Sequence, residues 1–129
     1  MTVQELLALV RARRDGCLYT DNQMTEDLNR FEAQIQAEIY DLYEQEMPII
    51  TYTGTEMLRV PSPWDEMYLY LLLGKIDYAD GEIDDYNNDM SRHMDILTGY
   101  KNYYARTHTP KGQHINPFGR RERKCNLPL

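Results

Sequence analysis

The acidic stretch in the middle of the chain is the one place where residue spacing could bind a metal ion. Asp80, Gly81 and Ile83 match the fifth, sixth and eighth positions of a calcium-binding EF-hand loop. The same alignment puts Ile76 at the first position and Asn87 at the twelfth, where such a loop needs two carboxylate ligands. Because most of the coordination is lost, we expect a solvated acidic face and no metal site.

The histidines and cysteines are the other residues that could carry chemistry. His93, His108 and His114 have no nearby cysteine to complete a metal site, and Cys17 and Cys125 lie near opposite ends of the chain. The sequence has no HExxH motif, no GxSxG motif and no glycine-rich phosphate loop. Acidic helices always supply candidate carboxylate pairs, but no cleft signal favours an acidic-site hydrolase. We therefore expect no catalytic residue, no metal, no cofactor and no enzymatic activity.

Two helices are predicted before the first proline. Thr2 and Glu5 form a capping box at the start of a helix over about 2–14. Thr25 then caps a second helix, whose apolar residues recur at steps of three and four until Pro48 ends it. Both segments should bury one face against the rest of the chain.

The segment 49–60 follows a period of two instead. Ile50 and Tyr52 alternate in its first half, and Leu58 and Val60 alternate in its second half. This pattern predicts a short β-hairpin or an extended arm. An isolated two-stranded hairpin is marginally stable in water, so the arm should lean on the helices or pair with another chain.

The stretch 58–108 contains the longest apolar stripe. Ser62 and Pro63 suit a helix start, and Gly81 interrupts the stripe without changing its phase. The pattern favours a single long helix with a kink at Gly81, and a tight helical hairpin is the alternative. The stripe consists of Leu69, Leu72, Ile76, Ala79, Ile83, Tyr86, Met90, Leu97, Tyr100 and Tyr104.

The charge of the chain is divided between its two ends. Residues 1–105 carry eight basic and 20 acidic side chains, whereas 106–129 carry six basic side chains and one acidic side chain. The segment after Thr109 also contains three prolines and no sustained periodicity, which predicts an extended tail that becomes ordered on a partner. A separate basic arm on an acidic body indicates binding to something other than the body itself.

The fold class predicted from these elements is mainly α. We expect a small helical bundle over residues 1–108, with one long C-terminal helix and a β-hairpin or extended arm at 49–60, followed by an extended basic tail at 109–129. A length of 129 residues fits one domain. No apolar run is long enough to cross a bilayer and no signal peptide is evident, so we expect no membrane partner and synthesis in the cytoplasm.

Residues 58–114 resemble a family of head–tail connector proteins of long-tailed bacteriophages, also called adaptor or head-completion proteins. Three blocks carry the resemblance: LRVPSPWDEMYLYLL at 58–72, KIDYADGEIDDYNNDM at 75–90 and YKNYYARTHTPKGQ at 100–113. The first sixty residues agree only in the helix–helix–extended order of their elements. These blocks are structural in character and bring no catalytic residues with them.

The resemblance implies a structural virion protein of the phage neck, located at the head–tail interface. About twelve copies would form a ring below the portal protein, joining the portal to the tail and extending the DNA channel. A further neck or tail-completion protein would bind the other side, and DNA would pass through without sequence-specific contacts. The alternative is a cytoplasmic helical regulatory protein that uses its basic tail on a protein partner.

The resemblance also suggests which residues make the contacts. Neighbouring copies would meet through the arm and the tyrosine-rich stretch, and the tail would dock on the portal. The inter-subunit candidates are Ile50, Tyr52, Leu58, Tyr68, Tyr86, Tyr100 and Tyr103. The portal-docking candidates are Lys111, Ile115, Pro117, Phe118, Arg120, Arg121, Arg123 and Lys124.

Overall fold

The fold is known from a computed structural model that describes residues 1–112. Its four helices are α1 (Val3–Arg13), α2 (Asp21–Glu38), α3 (Glu66–Ala79) and α4 (Ile83–Thr107), with a single 3₁₀ turn at Tyr40–Leu42. The described part of the chain contains no β-strand, only two isolated bridges between single residues. The prediction of a mainly helical fold is confirmed.

The first two helices begin where side chains satisfy the free backbone N–H groups. Thr2 and Glu5 form the predicted capping box of α1. In α2, Thr20 and Gln23 form a second capping box, so the predicted start at Thr25 was wrong by about one turn. The α-helical part of α2 also ends well before Pro48, because the chain passes into the 3₁₀ turn after Glu38.

The apolar stripe of residues 69–104 belongs to two antiparallel helices, so the favoured single long helix was wrong. Gly81 has a φ of 77° and follows the end of α3. Its N–H donates to the carbonyl oxygen of Tyr78 (3.2 Å), and the N–H of Glu82 donates to that of Asp77 (2.9 Å). These two bonds are a Schellman motif, which ends α3 and reverses the chain direction.

The long connection from residue 43 to 65 is irregular, and the predicted β-hairpin is not formed. Thr2 and Met57 form one of the two isolated bridges, with the N–H of Val3 donating to the carbonyl oxygen of Glu56 (2.9 Å). The segment instead packs its alternating apolar side chains, including Tyr52 and Val60, into the core of the subunit. Its alternation therefore reflects a single buried side rather than strand pairing.

Helix α3 lies at the centre of the bundle. It contacts α1, α2 and, most extensively, α4. Buried side chains occur on nearly all of its sides, including Met67, Leu71, Leu72 and Leu73. The predicted start at Ser62 and Pro63 was three residues too early, because α3 begins at Glu66 after a turn.

The described chain ends against the 3₁₀ turn. After α4, the N–H of Lys111 donates to the carbonyl oxygen of Leu42 (2.8 Å), and the N–H of Glu44 donates to that of Thr109 (2.9 Å). Residues 109–111, which the sequence assigned to the tail, are thus bonded to the body. Among residues 1–112, no helix combines the length and apolar composition of a membrane span.

Candidate interaction surfaces

Most of the predicted inter-subunit residues lie inside the subunit itself. Ile50, Tyr86 and Tyr103 are half-buried and keep some exposed surface. The other candidates belong to the subunit's own core, so their side chains are not free to meet a neighbouring copy. They are Tyr52, Leu58, Tyr68 and Tyr100.

A buried carboxylate, Glu32 of α2, joins three parts of the chain. Its Oε1 accepts hydrogen bonds from the hydroxyl groups of Tyr52 (2.9 Å) and Tyr68, and its Oε2 accepts from Nη2 of Arg59 (2.9 Å). The Arg59 guanidinium also lies over the ring of Tyr40, 4.3 Å from its centre. Glu32 is only 1% exposed, so its charge is stabilised entirely by these partners.

The two tyrosines of this site remain protonated donors. Burial, followed by the nearby charge of Glu32, raises the pKa of Tyr52 to about 12 and raises the pKa of Tyr68 further. Both oxygens of the carboxylate therefore accept hydrogen bonds from within the subunit. The arrangement holds the 43–65 connection onto α2 and α3.

An aromatic cluster fixes the C-terminal end of α4. The hydroxyl groups of Tyr40 and Tyr100 are 2.7 Å apart, and the Trp64 ring stacks on Tyr103 at 4.4 Å. His108 stacks on Tyr104 at 3.7 Å. These contacts tie the end of α4 to the 3₁₀ turn and to the start of α3, so the exit of the chain is held in place.

Two aspartates share one arginine where the ends of three helices meet. Arg14 donates through Nε to Asp77 (2.7 Å) and through Nη2 to both Asp77 (3.0 Å) and Asp89 (2.8 Å). Burial and the adjacent Asp77 raise the pKa of Asp89 to about 6. Burial opposes ionisation of Asp77 too, but the bonds from Arg14 and Asp89 outweigh it and lower the pKa of Asp77.

Neither the histidines nor the acidic residues form a metal site in the described chain. His93 is buried, and its Nδ1 donates to the carbonyl oxygen of Met67 (2.8 Å). Burial lowers the pKa of His93. No group of three or more potential ligands is placed to hold an ion within residues 1–112.

Exposed apolar side chains occur at several places on the surface, among them Leu18, which is 93% exposed, Leu42 and Met94. Near the N-terminus, Leu9 lines a shallow hollow of about 520 Å³, and Met57 is exposed beside Thr2. At the α3–α4 turn, Tyr78 and Ile83 are exposed. Ile49 is 84% exposed in the 43–65 connection.

The predicted portal-docking residues are mostly outside the described part of the chain. Lys111 is described, and its side chain is exposed. The remaining ones are not described: Ile115, Pro117, Phe118, Arg120, Arg121, Arg123 and Lys124.

Sequence reasoning missed the Glu32–Arg59 pair and the exposed apolar residues Leu9 and Met57. One signal for the pair was present, because Glu32 interrupts the apolar face of α2 directly beside Phe31. Its partners come from positions 20 to 36 residues away, which no local pattern connects. The chain matches no protein-family model, no curated protein and no solved structure.

Proposed function

We propose that this chain is a structural protein of the phage neck that forms a ring joining the portal to the tail and extending the DNA channel. The observation that carries the proposal is the charge division. Residues 1–112 hold 10 basic and 20 acidic side chains, whereas residues 113–129 hold four basic side chains and one acidic side chain. The resemblance of residues 58–114 to head–tail connector proteins gives this division a role.

The acidic body suits the wall of a DNA channel. Like charge repels the phosphate backbone and keeps the duplex from adhering as it passes. The acidic side chains at the α3–α4 turn, Asp80, Glu82, Asp84 and Asp85, are all exposed. We propose that surfaces of this kind face the channel and that DNA is not bound there in a sequence-specific way.

A closed ring of identical subunits requires two different complementary faces on each copy. The apolar hollow beside Leu9 and the exposed Tyr78–Ile83 pair belong to different helices and provide two such candidates. Three of the inter-subunit candidates predicted from the sequence are half-buried and would add contact area: Ile50, Tyr86 and Tyr103. The basic C-terminal segment would then be free to dock on the portal, and a further neck protein would bind the opposite side of the ring.

Electron microscopy of this protein mixed with the portal protein from the same genome tests the proposal. We expect a new ring layer of about twelve subunits on the narrow end of the portal, and no ring from this protein alone. Absence of binding at every salt concentration would contradict the proposal. It would favour the alternative, a regulatory protein that acts on a host partner.

A charge-reversal pair of variants makes the test specific for the tail. Replacing Arg120, Arg121 and Arg123 by Glu should abolish binding to the portal. The matched control reverses three exposed arginines of the body and changes the net charge equally: Arg13→Glu, Arg30→Glu and Arg106→Glu. Equal loss of binding in both variants would assign the effect to net charge rather than to the tail.

A further inference from the structure

A groove lies between α2 and the extended segment 49–51. It has a volume of about 290 Å³ and is open to solvent. Its apolar wall includes Ile49, whose side chain is 84% exposed. The lining residues are Asn29, Glu32, Ala33, Gln36, Ile49, Ile50 and Thr51.

Two features of the groove lack partners. The Gln36 side chain is buried, and its Nε2 donates to Asp41 (2.9 Å) and to the carbonyl oxygen of Met47 (3.3 Å), but its Oε1 accepts no hydrogen bond from the described chain. In the same part of the chain, Ile49, Ile50 and Thr51 make no backbone–backbone hydrogen bond with any other residue of the described segment 1–112. A free row of backbone groups beside an apolar groove is the surface that an added extended peptide pairs with.

The last described residues of the chain lie close to this groove. Lys111 is bonded to Leu42, and the neighbouring Asp41 is bonded to Gln36 in the groove wall. The next 17 residues therefore start close to one end of the groove. At about 3.3 Å per extended residue, Ile115 to Phe118 lie roughly 10–20 Å of chain beyond Gly112, which is within reach of the groove.

Charge also favours the tail as the occupant. No lysine or arginine occurs between Arg30 and Arg59, and that interval contains six acidic residues. Three of these, Asp41, Glu44 and Glu46, are exposed. Asp41 accepts a hydrogen bond from Gln36 of the groove wall, and the N–H of Glu44 donates to the carbonyl oxygen of Thr109 at the exit of the chain. The residues after Phe118 include four cations at positions 120–124, so the two segments attract each other.

From these observations we propose that Ile115–Phe118 of the same chain occupies the groove and pairs its backbone with Ile49–Thr51. A tether of only a few residues gives the segment a high effective concentration, which favours the same chain over a second copy. The inference goes beyond the proposed function and does not depend on it. If the tail also docks on a portal, the groove and the portal compete for Ile115 and Phe118.

Hydrogen exchange of the Ile49, Ile50 and Thr51 amides in the full-length protein tests the proposal. Ala33→Arg fills the groove from an exposed position on α2, and Ala37→Arg places the same side chain one turn further along, outside the groove lining. We expect exchange to become about tenfold faster in Ala33→Arg and in Ile115→Ser/Phe118→Ser, with Ala37→Arg unchanged.

Two results would overturn the proposal. Equal exchange rates in the wild type and both groove-directed variants would show that the tail does not cover the segment. Protection that is lost on about tenfold dilution of the wild type would assign the groove to the tail of a second copy, because pairing within one chain is independent of concentration. Binding to the portal plays no part in this measurement, so its outcome is separate from that of the ring experiment.

Discussion

The carboxylate of Glu32 accepts a hydrogen bond from the hydroxyl group of Tyr68, and both side chains are buried at the centre of the subunit. Arg59 supplies the opposite charge from the irregular 43–65 connection. A segment without strands or helices is therefore held in one conformation by a buried ion pair and two tyrosine hydroxyls. The stability of the connection, and of the groove formed by its residues 49–51, should depend on this pair.

Removing the carboxylate should destabilise the fold strongly. Glu32→Ala leaves the Arg59 guanidinium buried without its counter-ion, so we expect a loss of about 3–5 kcal/mol in the free energy of unfolding. Tyr68→Phe removes one hydrogen bond to the charged group and should cost about 1.5–3 kcal/mol. Urea unfolding followed by circular dichroism measures both values.

The matched control is Glu38→Ala on the same helix. Glu38 pairs with Lys101 at 3.1 Å, and both side chains are about 40% exposed, so the expected loss is below about 1 kcal/mol. If Glu32→Ala costs no more than Glu38→Ala, water must reach the site and the buried ion pair does not hold the connection.

The helical hairpin shows where periodicity alone was insufficient. Two antiparallel helices that bury their stripes against each other need the same spacing of three and four as one long helix, so the pattern did not separate the two folds. The decisive residue was Gly81, which fits the position after a helix where φ is positive. The sequence marked the position, but only the packing of α3 on α4 decides between a kink and a reversal.

Two glycine substitutions should have opposite effects on stability. Gly81→Ala forces a side chain into the left-handed region at a φ of 77° and should cost about 1–2 kcal/mol. Gly99 lies inside α4, where an added Cβ would be 3.5 Å from Nε1 of Trp64, an ordinary contact. Gly99→Ala should therefore stabilise the protein by up to about 1 kcal/mol. Thermal unfolding of both variants measures whether each one loses or gains stability. A loss of stability in Gly99→Ala would contradict this account.

The predicted stripe should be energetically central only where it is buried. Leu72 is fully buried on α3, so Leu72→Ala should lose about 2–5 kcal/mol in the free energy of unfolding. Met94 on α4 lies outside the stripe and is 50% exposed, so Met94→Ala should change stability by less than about 0.5 kcal/mol. Denaturant titration of the two variants measures both losses. Equal losses would contradict the assignment of Leu72 to the core.

Candidate interaction residues were harder to predict than the core. Tyr68 and Tyr100 were expected at subunit contacts because tyrosine suits half-wet surfaces, yet their hydroxyls find partners inside the subunit, in Glu32 and Tyr40. The sequence cannot show that a polar partner from a distant element will be available. Burial of a tyrosine therefore depends on the tertiary arrangement, whereas the local capping box of Thr2 was readable directly.

The shared arginine at the helix ends predicts a pH dependence of stability. The lowered pKa of Asp77 gives stability that is present above its ordinary pKa and is lost as the pH falls through the lowered value. The raised pKa of Asp89 has the opposite effect on stability. Its pKa of about 6 exceeds the ordinary value of about 3.9, so the folded state binds more protons between these pH values and loses stability as the pH rises.

Asp89→Asn should remove the second effect, and the Asn amide can still donate a hydrogen bond to Asp77 in place of the Asp89 carboxyl. Relative to the wild type, the variant should gain stability as the pH rises from about 4 to about 6, because Asn has no proton to lose. The difference should stay level above that range, where Asp89 of the wild type is ionised in both the folded and the unfolded state. Solvent screening at this partly exposed cluster limits the gain to about 1 kcal/mol. Urea unfolding of both proteins over this pH range measures the difference, in which the contribution of buried His93 cancels. The exposed Asp95→Asn on α4 is the control, and a difference for Asp89→Asn that does not change with pH would mean that Asp89 is ionised independently of Asp77.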